Sequence, residues 1–398
     1  MPKIRAIDAD GHVQEPAEAW ATHLDARYRA LAPRVLRDDQ GRVRQMIGGE
    51  LKPYIPVPDS GDWEIPAGGH DPKRRLADMD RQGIDASVLF PTFGLLFAGL
   101  ERTDVQVALC RAYNDWLCGF CGTDPKRLLG VAVVPQHDLL ESLAEARRCM
   151  REKGFRGVMM RPNPIRGRSL DDPYWDPLWS LLEEEGVPLA VHEGTTQEVP
   201  QSGRDRFDNF TLRHVCSHPH EQQIACVGLL MGGVLERHPG LRVVFLESGC
   251  GWLPHWLERM DEHMDAWGHA TAKLPLRPSE YFRRQCFVSC DPQERTIPAV
   301  VELVGEDCVV FATDYPHPDA ISGDLVAKIA DREGLRSSAK EKILRTNALR
   351  CFGLDRGERA ARTASRGGSP PRSPGRGSGG SARRSSARSP RPSRGPRR

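Results

Sequence analysis

No apolar run in these 398 residues approaches the roughly 18 positions that a membrane-spanning helix needs. The opening "MPKIRAIDAD" has a base but no apolar core of the kind a secretory leader carries, so the expected home is the cytoplasm. No GxGxxG follows the first apolar run, which argues against a dinucleotide-binding sheet. The 11 cysteines include one CxxC, Cys118 to Cys121, but no second pair completes a four-ligand zinc site. Their scatter over strand-like and helix-like stretches reads as reduced core thiols rather than a disulfide scaffold. Acid is missing from one whole region. From Arg359 to the C-terminus there are 12 arginines and no Asp or Glu, so a whole-chain net charge of +2 leaves the first 358 residues at −10. The chain therefore has an acidic body and a basic tail. The tail, "GGSPPRSPGRGSGGSARRSSARSPRPSRGPRR", is too poor in apolar residues to offset the entropy of ordering, which predicts disorder over 356–398. Contact of that tail with nucleic acid is physically possible.

What is present is a large core. Hydrophobic residues make up 39% and charged residues 28%, the balance of a globular protein. Eight short apolar runs recur: "IRAID", "ASVLF", "LLGVAVV", "GVMM", "PLAV", "VVFL", "CFVS" and "VVFA". Amphipathic stretches at 74–82, 104–121, 138–153, 173–186, 219–238, 253–267 and 294–305 separate most of them, and two more follow at 321–333 and 337–351. Continuously apolar strands alternating with helices imply a parallel sheet covered on both faces. Eight repeats predict an α/β protein with a (β/α)8 TIM-type barrel over residues 1–355. Two excursions, 13–70 and 193–218, leave after the first and fifth runs as inserted loops. They depart on the side where such barrels carry their chemistry, so they are candidate walls, with Trp63 and Phe93 as wall side chains. The apolar face of Trp252, Leu253, Trp256 and Met260 is explained first by core packing and second by a dimer surface.

The residues just past the runs carry the chemistry. Asp10 and His12 follow the first run, Arg161 the fourth, His192 the fifth, Glu247 the sixth and Asp314 the eighth. Any one of these carboxylates alone reads as a turn cap, and a lone His192 as a hydrogen-bonded core residue. Together, at one end of one barrel, Asp10, His12, His192 and Asp314 form a mixed nitrogen and oxygen set suited to a single Zn²⁺ or Mn²⁺. Alternate residues of a strand share a face, so Asp10 and His12 point together and Asp8 is expected deeper on that face. Asp314 is expected to move a proton beside the ion. Glu247 is a further base or a further ligand, and His218 in "VCSHPHEQ" is a second proton carrier, ahead of its neighbour His220. Arg161 offers a fork for a substrate carboxylate, or else pairs with a body acid such as Glu193.

The order "IDADGHV", "PLAVHEG", "GGVLERHPGLRVVFLESGCGW" and "FATDYPHPD" resembles the amidohydrolase-related branch typified by aminocarboxymuconate-semialdehyde decarboxylase, over residues 4–354. The resemblance implies a metal-bearing barrel whose ligands fall at Asp10, His12, His192 and Asp314. It also implies an activity on small carboxylated compounds, most simply a non-oxidative decarboxylation of an aromatic or unsaturated acid, and a homo-oligomer. A metal-dependent hydrolase shares every one of these residues and is the alternative. A non-catalytic barrel with a nucleic-acid-binding tail is the remote one. Two departures stand out: Asp-x-His replaces the type's His-x-His after the first run, pointing to a harder ion such as Mn²⁺, and Glu247 replaces a histidine after the sixth.

Overall fold

The computed structural model describes residues 5–52, 66–196, 198–318, 320 and 323–355. Trp63 and the basic tail lie outside the described residues. Among the described residues twelve strands form: β1 Ala6–His12, β2 Arg34–Arg37, β3 Val43–Ile47, β4 Glu50–Leu51, β5 Ile84–Phe90, β6 Leu128–Gly130, β7 Ala132–Val133, β8 Val158–Met160, β9 Leu189–Val191, β10 Val243–Phe245, β11 Cys286–Cys290 and β12 Val309–Phe311.

Nine of them form two all-parallel sheets, β1-β5-β6 and β7-β8-β9-β10-β11-β12. All eight apolar runs become buried strands, because a parallel sheet covered on both faces needs apolar residues at every position. The third run is split in two. Val131 N bonds Leu89 O at 3.2 Å and Ala132 N bonds Gly157 O at 3.0 Å, so the chain changes partner between β6 and β7. At the other seam, Asp314 N bonds Asp10 O at 2.9 Å and His12 N bonds Tyr315 O at 2.7 Å, which places the end of β12 beside β1. Ladder pairing is interrupted at both seams, and no closed ring of paired strands is present among the described residues.

Helices cover the sheets. Pro72–Gln82 is capped by Asp71, whose side chain accepts from Lys73 N at 2.8 Å, and stops at Gly83, where φ is +74°. Leu253–Trp267 buries Leu253, Leu257 and Met260, as core packing predicts. The fully buried Trp175 and Trp179 anchor the region between β8 and β9. Cys118 and Cys121 close the helix Thr103–Cys121 as free thiols.

The structure corrects three expectations. The first excursion contains its own antiparallel sheet, β2-β3-β4, whose exposed residues gave no apolar pattern. The helix expected from 219 begins at Phe210, where the Asn209 side chain accepts from Leu212 N at 3.1 Å, and runs through Pro219 to Met231. His218 therefore lies within a helix, not before one. Phe93 starts a buried 3-10 turn, Phe93–Gly99, and is not a cavity wall.

Candidate metal centre and active site

β1 delivers Asp10 and His12, and β9 ends one residue before His192, whose N–H extends the ladder to Met160 O at 3.0 Å. All three side chains are fully buried. His12 Nδ1 lies 2.8 Å from Pro91 O, and His192 Nδ1 lies 2.8 Å from Glu193 O. A carbonyl oxygen only accepts, so each Nδ1 carries the proton and each Nε2 presents a lone pair. Those two Nε2 atoms face each other at 3.2 Å. Asp10 Oδ1 is 3.5 Å from His12 Nε2 and 3.3 Å from His192 Nε2, and Asp314 Oδ1 is 3.5 Å from His12 Nε2.

Two nitrogen lone pairs and the Asp10 carboxylate oxygen thus converge with no donor hydrogen between them, and Asp314 adjoins the group from the His12 side. Asp10 Oδ1, buried, makes no hydrogen bond at all. An electron-rich pocket of this kind is costly unless a cation fills it. Donor atoms about 2.1 Å from one ion stand roughly 3.0–3.4 Å apart in octahedral or tetrahedral geometry; the 3.2 Å and 3.3 Å separations made by His192 Nε2 fall in that range, and the two 3.5 Å separations made by His12 Nε2 lie just outside it. The residues fit a single divalent ion. Electrostatics agree. Burial, reinforced by His317, pushes His12 down to about 3, which keeps its imidazole neutral and able to ligate.

Asp8 does not share this face. The β1–β5 register slips between Asp8 and Gly11, a bulge that turns the Asp8 carboxylate to Ser87 Oγ at 2.7 Å, Thr313 Oγ1 at 2.9 Å and Thr313 N at 3.0 Å. It ties β1, β5 and the end of β12 together behind the pocket, and burial raises its pKa.

Glu247 and Asp314 stand in the left-handed backbone region, with φ of +52° and +54°. Side chains rarely adopt it, and such strain concentrates where a group must be aimed. Glu247 N is held by Ser289 Oγ at 3.1 Å. Its carboxylate lies between two histidines, with Oε2 3.5 Å from His192 Nδ1 and Oε1 3.6 Å from His218 Nε2. His218 is buried, stacked on His214 at 4.2 Å, and held neutral by that burial and by His214. His220, two residues on, is exposed. His214 and His317 carried no expectation. His214 sits one helical turn before His218 and lines the same cavity, a spacing that was legible, whereas His317 reaches Asp314 only through a turn.

A cavity of about 340 Å³ opens over this array, lined by Asp10, His214, His218, Glu247, Asp291, Glu294, Asp314 and smaller residues. Arg161 does not reach it. Its guanidinium bonds Leu95 O at 2.5 Å, Gly194 O at 2.6 Å and the Glu193 carboxylate, so the fork expected for substrate is used to fasten β8 to the segment after β9. Burial lifts that carboxylate to about 7 although Arg161 pulls it down. The pairing with Glu193 is the one that forms.

Comparison with known proteins follows the same line. The profile of a family described as Amidohydrolase matches residues 7–354. The 2-amino-3-carboxymuconate-6-semialdehyde decarboxylase of Dictyostelium discoideum is 29% identical over 79% of this chain and 82% of its own. The gamma-resorcylate decarboxylase of Rhodococcus jostii is 30% identical over 71% of this chain and 87% of its own. Among solved structures, an amidohydrolase from Mycobacterium avium subsp. paratuberculosis superposes with a TM-score of 0.74 at 24% identity, covering 89% of this chain and all of that one.

Proposed function

The chain belongs to the amidohydrolase family and is a metal-dependent carboxy-lyase, and from that premise we propose the residues, the ion and the substrate class. Asp10, His12, His192 and Asp314 hold one ion, and the two carboxylates among four donors favour Mn²⁺ over Zn²⁺. The two parallel sheets act as one (β/α)8 barrel over 1–355, with the hydrogen bonds at the two seams supplying closure. When bound, the ion polarises oxygen atoms of the substrate.

The substrate is a small aromatic acid with a hydroxyl beside its carboxylate. A hydroxyl there feeds electron density to the carboxyl-bearing carbon, which is what protonation at that carbon requires, and the named substrate of the gamma-resorcylate relatives is of this kind. It carries a single carboxylate. Beyond the ligands, the cavity presents Glu247, Asp291 and Glu294, and no lysine or arginine is among its described lining residues, so a second carboxylate would meet like charge.

Asp314 takes the proton of the substrate hydroxyl. Glu247, supported by His218, gives a proton to the ring carbon. The bond from that carbon to the carboxylate breaks with its electrons left on the ring, carbon dioxide leaves, and Asp314 returns its proton to the oxygen. Glu247 is reprotonated from solvent through the cavity mouth. The observation that carries this reading is the pair of facing imidazole lone pairs beside Asp10 and Asp314, directly under the cavity. Glu247→Gln tests it: carbon dioxide release falls about a hundredfold or more while the ion is retained at one equivalent. Loss of the ion in that variant would make Glu247 a ligand and remove it from the proton path.

A further inference from the structure

His317 is half-buried in the turn after β12, three residues beyond Asp314. Its Nδ1 is 2.7 Å from Asp314 Oδ1, and its Nε2 is 3.0 Å from Thr92 Oγ1. Thr92 in turn donates its hydroxyl to Val13 O at 2.8 Å, so its oxygen accepts from His317 Nε2–H. The ring also lies 4.0 Å from the ring of His12, tilted by 33°. His317 N bonds Asp314 O at 3.0 Å, which closes the turn on itself. The imidazole is thereby fixed at both nitrogens, on one face and through the backbone.

We infer that His317, anchored by Thr92, is a positioning residue that fixes the Asp314 carboxylate for its proton step. The inference rests on the reading above, in which Asp314 both touches the ion and moves a proton. Three features support it. Asp314 is on a strained backbone at φ of +54°, so its own main chain does not provide a relaxed preference for this orientation. The hydrogen bond to His317 selects Oδ1, leaving the choice of carboxylate rotamer to an outside group. The anchor runs through Thr92 to Val13, directly after β1, so the first and last strands of the site are tied by the same side chains that aim the acid. Hydrogen-bonded partners of this type orient a ligating or reacting group and tune it, and their loss typically costs 10–100-fold in activity or metal affinity.

The test uses His317→Leu and His317→Asn, each loaded with Mn²⁺ and, separately, with Co²⁺. Asparagine places an amide N–H close to the position of the histidine Nδ1, so it can restore the bond to Asp314 that leucine cannot. The expected result for His317→Leu is a kcat lower by roughly 30-fold, with KM within twofold of wild type and one equivalent of metal. His317→Asn recovers most of that loss. The visible spectrum of the Co²⁺ protein shifts in His317→Leu and returns toward wild type in His317→Asn, a readout independent of turnover. Thr92→Val gives a smaller change in the same direction. Loss of the metal from both His317 variants would overturn the inference and make His317 a ligand. An unchanged Co²⁺ spectrum with unchanged kcat would overturn it in favour of simple packing. If wild type itself released no carbon dioxide while the Co²⁺ spectra still responded, the decarboxylase reading would fail and the positioning of Asp314 would stand.

Discussion

His192→Ala removes the divalent ion and lowers carbon dioxide release by a thousandfold or more. The magnitude follows from what the ion supplies. Lewis-acid stabilisation is worth several kcal/mol, and each 1.36 kcal/mol is about a factor of ten in rate. His192 supplies one of the two imidazole nitrogens of the site. His192 Nε2 is 3.2 Å from His12 Nε2 and 3.3 Å from Asp10 Oδ1, and its other nitrogen is committed to Glu193 O. Packing adds a second, separable effect, because the ring lies 5.3 Å from Phe90 in a fully buried site, and alanine leaves a cavity there. Metal analysis by plasma mass spectrometry and a melting curve on the same sample distinguish the two. A variant that melts a few degrees lower, is metal-free and regains partial metal binding with added imidazole fits the account. A variant that keeps its metal contradicts it.

Gly11→Ala costs about 3 kcal/mol of stability or more, and the defect centres on the first strand. A Cβ at this position would lie 2.4 Å from Arg75 Nη2, 2.4 Å from Ser87 Oγ and 2.5 Å from Asp8 Oδ2. None of these can move cheaply. Ser87 and Asp8 are bonded to each other at 2.7 Å, and buried Arg75 donates to His12 O at 2.8 Å. The glycine therefore serves the bulge that lets Asp8 face backward while Asp10 and His12 face His192. Denaturant unfolding measures the loss, and an unperturbed midpoint would refute the close approach. Because Arg75 holds the carbonyl of His12, metal affinity is expected to fall together with stability.

The distribution of residues along the chain made much of this site legible. Asp10, His12, His192 and Asp314 could be chosen because each follows an apolar run, and parallel strands bring their C-terminal ends to one side whatever the lengths of the connections. His218 was legible for its chemistry but not for its setting, since a proline one residue later suggested a helix start and the helix instead runs through it. Asp8 was misplaced because strict alternation fails at a bulge, and the bulge depends on Ser87, Arg75 and Thr313, far away in the sequence. Arg161 shows the same limit. Its fork could serve a substrate or a neighbour, and only the fold brings Glu193, Gly194 and Leu95 within its reach. The strained backbone at Glu247 and Asp314 left no trace in residue type, because neither is the glycine that such a φ usually selects.

The most direct test of the central claim is turnover of 2,6-dihydroxybenzoate, labelled with ¹³C at the carboxylate, by the Mn²⁺-loaded protein in D₂O. The panel is completed by 2-hydroxybenzoate and 4-hydroxyisophthalate. The account predicts ¹³CO₂ and 1,3-dihydroxybenzene in equal amounts, one deuterium on the carbon that lost the carboxylate, and slower turnover of the diacid. Metal-loaded protein that releases no carbon dioxide from any of the three acids would contradict it.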